Sequence, residues 1–539
     1  MDFANSAKAP QPVTSPNPYF SIFILTLATF MATLDTTIIN VALPKMAGDL
    51  SVTPSELVWV IGAYFVATAA ILPISGWLAT YFGRKRYYMF SVAVFTVSSL
   101  LCGLSANLES LIIFRIIQGL GAGGLASSEQ AIISDITPPE KLGRAFSIYA
   151  VGLAAAPVFG PTLGGFITDN FSWHWVFFIN LPVGIVSLVL SWLFVYESEE
   201  SKEARAEFFK TGKTIDWLGI VLFVGGIAAL ALALEEGPKE GWFESGFIVL
   251  LTMMALFAIL IGATWEYYQD KPAVDIMMFR NGGFAGAATL IFVVAFVGSG
   301  ATYLVPYLAQ TQLGYTAMDA GLISLPAAVM QVIGIQIASL LMDKIDVRKI
   351  IFFALCGMAA AIWNFTQFNL NVDFYTLAMG RAAQLFCQSF LAVTIQTAAY
   401  YRLPKDKNNS AAGLLNLAVT LGSSFGVALT STVIATQTQV HLNNFSYHTN
   451  NYNPNFVAAI KQLTENFEQH GLNASQAASA ALNVIWQQML AQASMKAFLD
   501  AVGIYLLLYI CVLPLVFLLK RKPPVQKTAS QSSPINLDH

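Results

Sequence analysis

Fourteen stretches of mainly apolar residues follow one another along this chain, each near the 20 residues a helix needs to cross the hydrocarbon layer. They fall near 19–43, 55–79, 87–106, 109–133, 144–168, 175–196, 215–235, 246–268, 284–309, 318–342, 349–369, 374–400, 411–437 and 498–519. The runs are continuous and do not alternate at period two, which selects helices over the strands of a barrel. Composition agrees: 56% of the 539 residues are apolar and 11% charged, against roughly 45–50% and 25% in globular domains. The fold class is therefore an all-α polytopic membrane protein. A formal charge of −3, from 28 Lys+Arg and 31 Asp+Glu, excludes a nucleic-acid binder held by bulk positive charge and an acidic disordered scaffold. Cys102, Cys356, Cys387 and Cys511 are widely spaced, so neither a disulfide framework nor a zinc site is expected.

Lysine and arginine orient the spans. With the N-terminus inside, 22 of the 28 basic residues fall on inner connections and tails, and only Lys45, Lys239, Lys461 and Lys496 on outer ones. The positive-inside rule then places both termini in the cytoplasm and requires an even number of spans. Pro10–Pro18 lacks a basic cluster and no small-residue cleavage site follows the first run, so that run reads as a span and not a cleaved signal. Residues 1–18 are Pro-rich and expected to be disordered, and 197–214 form a charged linker. The outer segment 438–497 shows helical spacing at Phe456, Ile460, Leu463 and Phe467 and again at Leu482, Ile485 and Met489, which predicts two short amphipathic helices.

A few polar residues sit where hydrocarbon should be. Asp35 lies within the first span, where a charge costs roughly 2.5–3.5 kcal/mol on insertion scales. Burial disfavours the carboxylate and a neighbouring cation favours it, so a carboxyl held between the two can load and release a proton. The alternative is a structural tie between helix 1 and a neighbour. Arg115 is the one basic residue inside the first six spans and the natural counter-charge; Gln118 lies one turn on. Glu129 falls about 40° off that face, so it either extends a polar stripe or reaches out to the interface. Arg381 and Gln384 in the twelfth span repeat the R-x-x-Q spacing, as an internal repeat would.

The fifth span carries GLAAAPVFGPTLGGF. Gly152, Ala156, Gly160 and Gly164 recur at every fourth position, with Gly165 beside them, and Pro157 and Pro161 each remove a helix donor. Such a face allows close helix approach; it predicts either a tight seam between moving bundles or ordinary packing. Between spans two and three, GWLATYFGRKR offers Gly76 and Gly83 for a turn and Arg84, Lys85 and Arg86 at the surface, read equally as topology or as a gating contact.

These runs resemble the major facilitator superfamily, in its fourteen-span drug:proton antiporter branch of EmrB-type permeases. GWLATYFGRKR is similar to its loop 2–3 motif, RIIQGLGAGG to its helix-4 motif, GLAAAPVFGPTLGG to its antiporter motif and LDTTIINVALP to its helix-1 motif; WHWVFFINLPVG and VDIMMFRN are further likenesses. Thr80 stands where that loop usually has an acid, leaving the basic cluster without the acid of a charge relay.

The resemblance implies a major facilitator fold: a six-helix bundle over 19–196, a cytoplasmic linker over 197–214, two inserted helices over 215–268, and a second bundle over 284–519 with the outer loop 438–497 and a cytoplasmic tail 520–539. It implies Asp35 as the proton-linked acid, tuned by Arg115, and Gly160–Pro161 at the heart of an antiporter seam. It further implies a bacterial inner-membrane exporter of drug-like compounds, driven by the proton gradient without a cofactor. The partners implied are protons, membrane lipid, a periplasmic adaptor of the EmrA type and an outer-membrane channel, with no nucleic acid. A cavity lined by Phe, Met and Trp would suit bulky amphipathic molecules. An exporter dedicated to one metabolite, siderophore or fatty acid is the rival within transport. An enzyme is disfavoured: the chain has five histidines and no HExxH, GxSxG or Walker sequence.

Overall fold

The computed structural model describes residues 18–197, 199–210, 216–269, 272–400, 403–404, 407–447, 449–450 and 452–519. The N-terminal residues 1–17, the tail 520–539 and parts of the linker lie outside the described residues. Helices cover all fourteen apolar runs. The first half holds α1 (Pro18–Leu50), α2 (Pro54–Phe82), α3 (Arg84–Gly103), α4 (Leu108–Ile136) and α5 (Leu142–Asn170); α6 (Trp175–Phe178) and α7 (Asn180–Phe194) make up the sixth run. The linker is helical over α8 (Glu199–Lys210), and α9 (Trp217–Glu236) and α10 (Gly246–Tyr267) follow. The second half holds α11 (Gly282–Tyr307), α12 (Ala317–Met342), α13 (Val347–Phe365), α14 (Phe374–Tyr400), α15 (Asn408–Ser446), α16 (Pro454–Gln469) and α17 (Ala474–Val512). Among the described residues, eleven segments are apolar and long enough to cross a membrane; α3, α5 and α14 fall outside that measure, α3 because it opens on Arg84–Arg86 and α14 because Arg381 and three glutamines interrupt it.

Helix starts reveal a repeat that the R-x-x-Q pair only hinted at. Thr53 caps α2 with Glu56 closing a capping box, and Thr316 caps α12 with Asp319 doing the same, 263 residues later. Each box follows a residue in the left-handed region two positions earlier, Ser51 (φ 54) and Gly314 (φ 70). Asn107 caps α4 through the Ser110 N–H, and Asp373 accepts from the Tyr375 and Thr376 N–H groups at the start of α14. The Thr376 hydroxyl and N–H hold the Asp373 carboxyl below the usual carboxylate range. Asn107 to Asp373 and Arg115 to Arg381 share one spacing of 266 residues. The two halves are built on one plan.

Packing follows that plan. α4 lies against α2 and α3, and α1 against α5 and α7; in the second half α14 lies against α12 and α13, and α11 against α15. The halves meet where α2 faces α15 and α5 faces α12. α9 covers α2 and α15 together, and α10 stands outside α9. Large apolar side chains such as Phe90, Trp192, Phe257 and Phe353 point outward, as a lipid-facing surface requires.

The outer segment departs from expectation. α16 matches the first predicted amphipathic helix, but Leu482, Ile485 and Met489 belong to α17, one helix of 39 residues that continues into the bilayer run. Its stretch from Ala474 to Val502 contains neither Gly nor Pro, so nothing interrupts the helix before the membrane. α15 is also 39 residues long. At 1.5 Å per residue each reaches about 58 Å, well past a hydrocarbon layer of about 30 Å.

Candidate functional site

Asp35 and Arg115 are both fully buried, on α1 and α4. Arg115 Nη1 donates to Asp35 Oδ2 at 2.5 Å and to Gln118 Oε1 at 2.6 Å, while Nε donates to the Val60 carbonyl at 3.0 Å. The guanidinium also lies over the Tyr64 ring, 4.2 Å from its centroid. Asp35 Oδ1 accepts from Gln118 Nε2 at 3.1 Å and from Asn180 Nδ2 at 2.7 Å, and Ser99 Oγ accepts from Gln118 at 2.7 Å. These bonds offset the cost of burying the two charges, with Arg115 Nη2 left without a hydrogen-bond partner among the described residues; removing one partner of a pair like this costs about 3–5 kcal/mol. Sequence reasoning missed Asn180 and Ser99. The available signal was a polar amide, in FINLPVG, inside an apolar run.

Glu129 is fully buried too, so of its two sequence readings the interface position does not hold. The Thr29 hydroxyl of α1 donates to it, and no cation lies against it among the described residues. Thr29 and Asp35 stand on one helix about 9 Å apart along its axis. The α1–α4 interface therefore holds two carboxyl groups in line, one ion-paired and one held by a hydroxyl.

The small-residue face of α5 packs inside its own half. A Cβ on Gly152 would collide with Thr26, and one on Gly160 with Thr37, both on α1. Ala156 and Gly164 are buried, Pro157 is exposed, and Gly165 has open space beside it. The Pro161 side chain lies outside the described set. The seam expected between moving bundles is thus, in this structure, a close α1–α5 contact that brings α5 beside the helix carrying Asp35. Near its start α5 meets the other half through Gly143 against Met342, Arg144 to Asp343 at 3.3 Å, and Phe146 stacked on Tyr400.

Loop 2–3 sits in a clamp between the halves. A Cβ on Gly76 would lie 2.6 Å from the Ser410 Cα, and one on Gly413 would lie 2.7 Å from the Leu72 carbonyl, so α2 and α15 touch backbone to backbone. Around them Asn409 donates to Thr80 at 3.2 Å, Asn408 donates to Asp135 at 2.9 Å, and Gln130 and Asn416 exchange two amide bonds of 3.0 and 3.1 Å. Arg84 is buried and ion-paired with Asp135, so the acid missing at Thr80 is supplied from the end of α4. Gly83 takes φ +91 and turns the chain from α2 into α3. Lys85 donates to the Trp192 carbonyl at 2.8 Å, and Arg86 is exposed. Asn408, Asn409 and Asn416 were not singled out from sequence, although NNSAAGLLN places three amides around the start of an apolar run. At the opposite end a cleft of ≈ 840 Å³ opens, lined by uncharged groups including Tyr303, Tyr307, Gln312, Thr438, Gln439 and Gln487.

In the second half Arg381 Nη1 donates to Gln384 Oε1 at 2.8 Å, and both side chains are buried. No carboxylate meets Arg381 among the described residues, and α11, which holds the place of α1, has no acidic residue from Gly282 to Tyr307. The repeat kept the cation and not the acid.

Two similar helical halves clamped at one end around buried charges define a membrane transporter, and not an enzyme. The chain belongs to the major facilitator superfamily, whose family model matches residues 25–308 and 287–441. It is 34% identical to the multidrug export protein EmrB of Haemophilus influenzae, over 93% of this chain and 96% of that protein. It is 31% identical to the fatty acid resistance protein FarB of Neisseria gonorrhoeae, over 93% of this chain and 95% of that one. Among solved structures, the human organic anion transporter MFSD10 (TETRAN) superposes with a TM-score of 0.60 at 13% identity, covering 92% of this chain and 100% of that one. The proton:xylose symporter XylE does so with a TM-score of 0.55 at 16% identity, covering 89% and 95%.

Proposed function

We propose that this chain is a proton-coupled antiporter that exports hydrophobic or amphipathic compounds across a bacterial inner membrane by alternating access. The observation that carries the reading is the buried Asp35–Arg115 pair, joining α1 to α4, the helix whose far end supplies Gln130 and Asp135 to the inter-half clamp. The end carrying Arg84 holds most of the basic residues, so the positive-inside rule makes it cytoplasmic. The structure then corresponds to the state closed towards the cytoplasm. A proton arriving from outside neutralises Asp35 and removes the charge that Arg115 is bonded to. Arg115 keeps the Val60 carbonyl, Gln118 and Tyr64, so α4 can turn relative to α1 without stranding a bare cation. Loss of that proton to the cytoplasm restores the pair and resets the cycle. Likeness to a multidrug export protein supports drug-like substrates; work as the permease of a tripartite assembly, with an EmrA-type adaptor and an outer-membrane channel, is part of the same proposal. The test is efflux from proteoliposomes under an imposed proton gradient, with cationic, neutral and anionic compounds; transport indifferent to the gradient would refute coupling.

One observation favours a second reading, an exporter dedicated to a single anionic amphiphile such as a fatty acid. Arg381 is a buried cation that meets no acid among the described residues, and FarB is among the relatives. If an anionic substrate completes that site, Arg381→Gln raises the apparent KM for a long-chain carboxylate by roughly tenfold or more, the scale of one charged hydrogen bond, and leaves a neutral analogue unaffected. Equal effects on both compounds would remove this reading.

A further inference from the structure

Arg84, Lys85 and Arg86 point three ways, and Arg84 alone of them serves the clamp between the halves. Arg86 forms no ion pair among the described residues. It stands at the mouth of a groove of ≈ 620 Å³ on the outer side of the first half, walled by Leu78, Phe82, Phe90, Val94, Ile117 and Leu120 from α2, α3 and α4. Phe82 and Phe90 are 49% and 65% exposed, on a surface that meets hydrocarbon. Arg205 reaches the same mouth from α8. Its Nε donates to the Tyr81 carbonyl at 3.1 Å and its guanidinium lies 5.7 Å from the Phe209 ring, an arrangement that holds the group in place while no carboxylate meets it among the described residues.

We propose that this groove binds one anionic phospholipid of the adjoining leaflet, with its phosphodiester between Arg86 and Arg205 and one acyl chain along the apolar walls. Two guanidinium groups at the polar rim of an apolar slot match a phosphate joined to a hydrocarbon chain, since the planar guanidinium fork fits phosphate oxygens. A net negative headgroup is selected because both rim charges are positive; a zwitterionic lipid brings its own cation to the same place. A free phosphate ion would leave the apolar walls empty. The bound lipid would tie α8 to α2, α3 and α4, next to the Gly76 contact with α15.

The full chain, purified in detergent, is titrated with phosphatidylglycerol, phosphatidylcholine or inorganic phosphate and followed by native mass spectrometry. The expected result is one saturable phosphatidylglycerol, bound in clear preference to phosphatidylcholine. Arg86→Gln weakens it, and the pair Arg86→Gln and Arg205→Gln together weaken it about thirtyfold, as the loss of two cationic contacts at a membrane surface predicts. Arg86 is exposed, so the single variant is expected to fold as the parent does. Leu120→Trp fills the slot and removes binding with both arginines present. Equal uptake of the two lipids, unchanged phosphatidylglycerol binding in the variants, or displacement of the lipid by inorganic phosphate would overturn the proposal.

Discussion

Asp35→Asn leaves the protein inserted and folded but unable to concentrate substrate against a gradient. The substitution is nearly isosteric and keeps an oxygen for Arg115 Nη1, while the guanidinium retains the Val60 carbonyl, Gln118 and the Tyr64 ring. What disappears is the exchange between charged and neutral forms. Each proton carried inward contributes roughly 2.3 kcal/mol per 100 mV, equivalent to about a fiftyfold accumulation ratio. The variant should lose that factor in proteoliposomes while still binding substrate. Arg115→Met offers the complementary case: it strands the Asp35 carboxylate in a dry site and should destabilise the protein by about 3–5 kcal/mol, with Asp35→Asn in the same chain restoring stability and not transport. Full gradient-driven export by the Asp35→Asn protein would end the proposed role of this acid.

The second large effect is expected at Gly76. Gly76→Val places its Cβ within 2.6 Å of the Ser410 Cα, and backbone cannot swing aside as a side-chain tip can. Overpacking of this kind costs about 1–3 kcal/mol, charged here to the one state in which α2 and α15 touch. The equilibrium should therefore move about 5- to 150-fold towards the state open at the Arg84 end. A thiol introduced by Asn416→Cys, half-buried against Gln130 in this structure, should react faster with a water-soluble maleimide in the Gly76→Val background. Transport should fall in parallel because the cycle cannot pass through the closed state. Unchanged labelling together with normal transport would show that the contact does not govern closure. Arg84→Gln should shift the same equilibrium in the same direction by another route, since it removes the buried partner of Asp135 and leaves the glycine interlock in place.

These two residues differ in how far the sequence announced them. Asp35 stands out because polarity inside an apolar run is a local signal, and Arg115 stands out for the same reason. Gly76 was legible as a turn-former, and its actual service, admitting the backbone of α15, was not. The run GLAAAPVFGPTLGG shows the same limit: the sequence disclosed a flat helix face, and the structure set that face against α1 and not across the halves. In RKR the charges were plain, but only packing sent Arg84 inward to Asp135 and left Arg86 outside.

Sequence alone determined the membrane class, the order of the helices, the direction of the charge bias and the intramembrane acid and base, because each depends on residues close together in the chain. Tertiary structure decided that Asn180 and Ser99 complete the acid's site, that Asn408, Asn409 and Asn416 close the clamp, and that Arg381 meets no carboxylate among the described residues. Those pairings depend on how helices far apart in sequence are rotated, and a shift of one residue turns a side chain by about 100°. A hydrophobic pattern tells which residues enter the membrane; it carries no information on which neighbour they meet there.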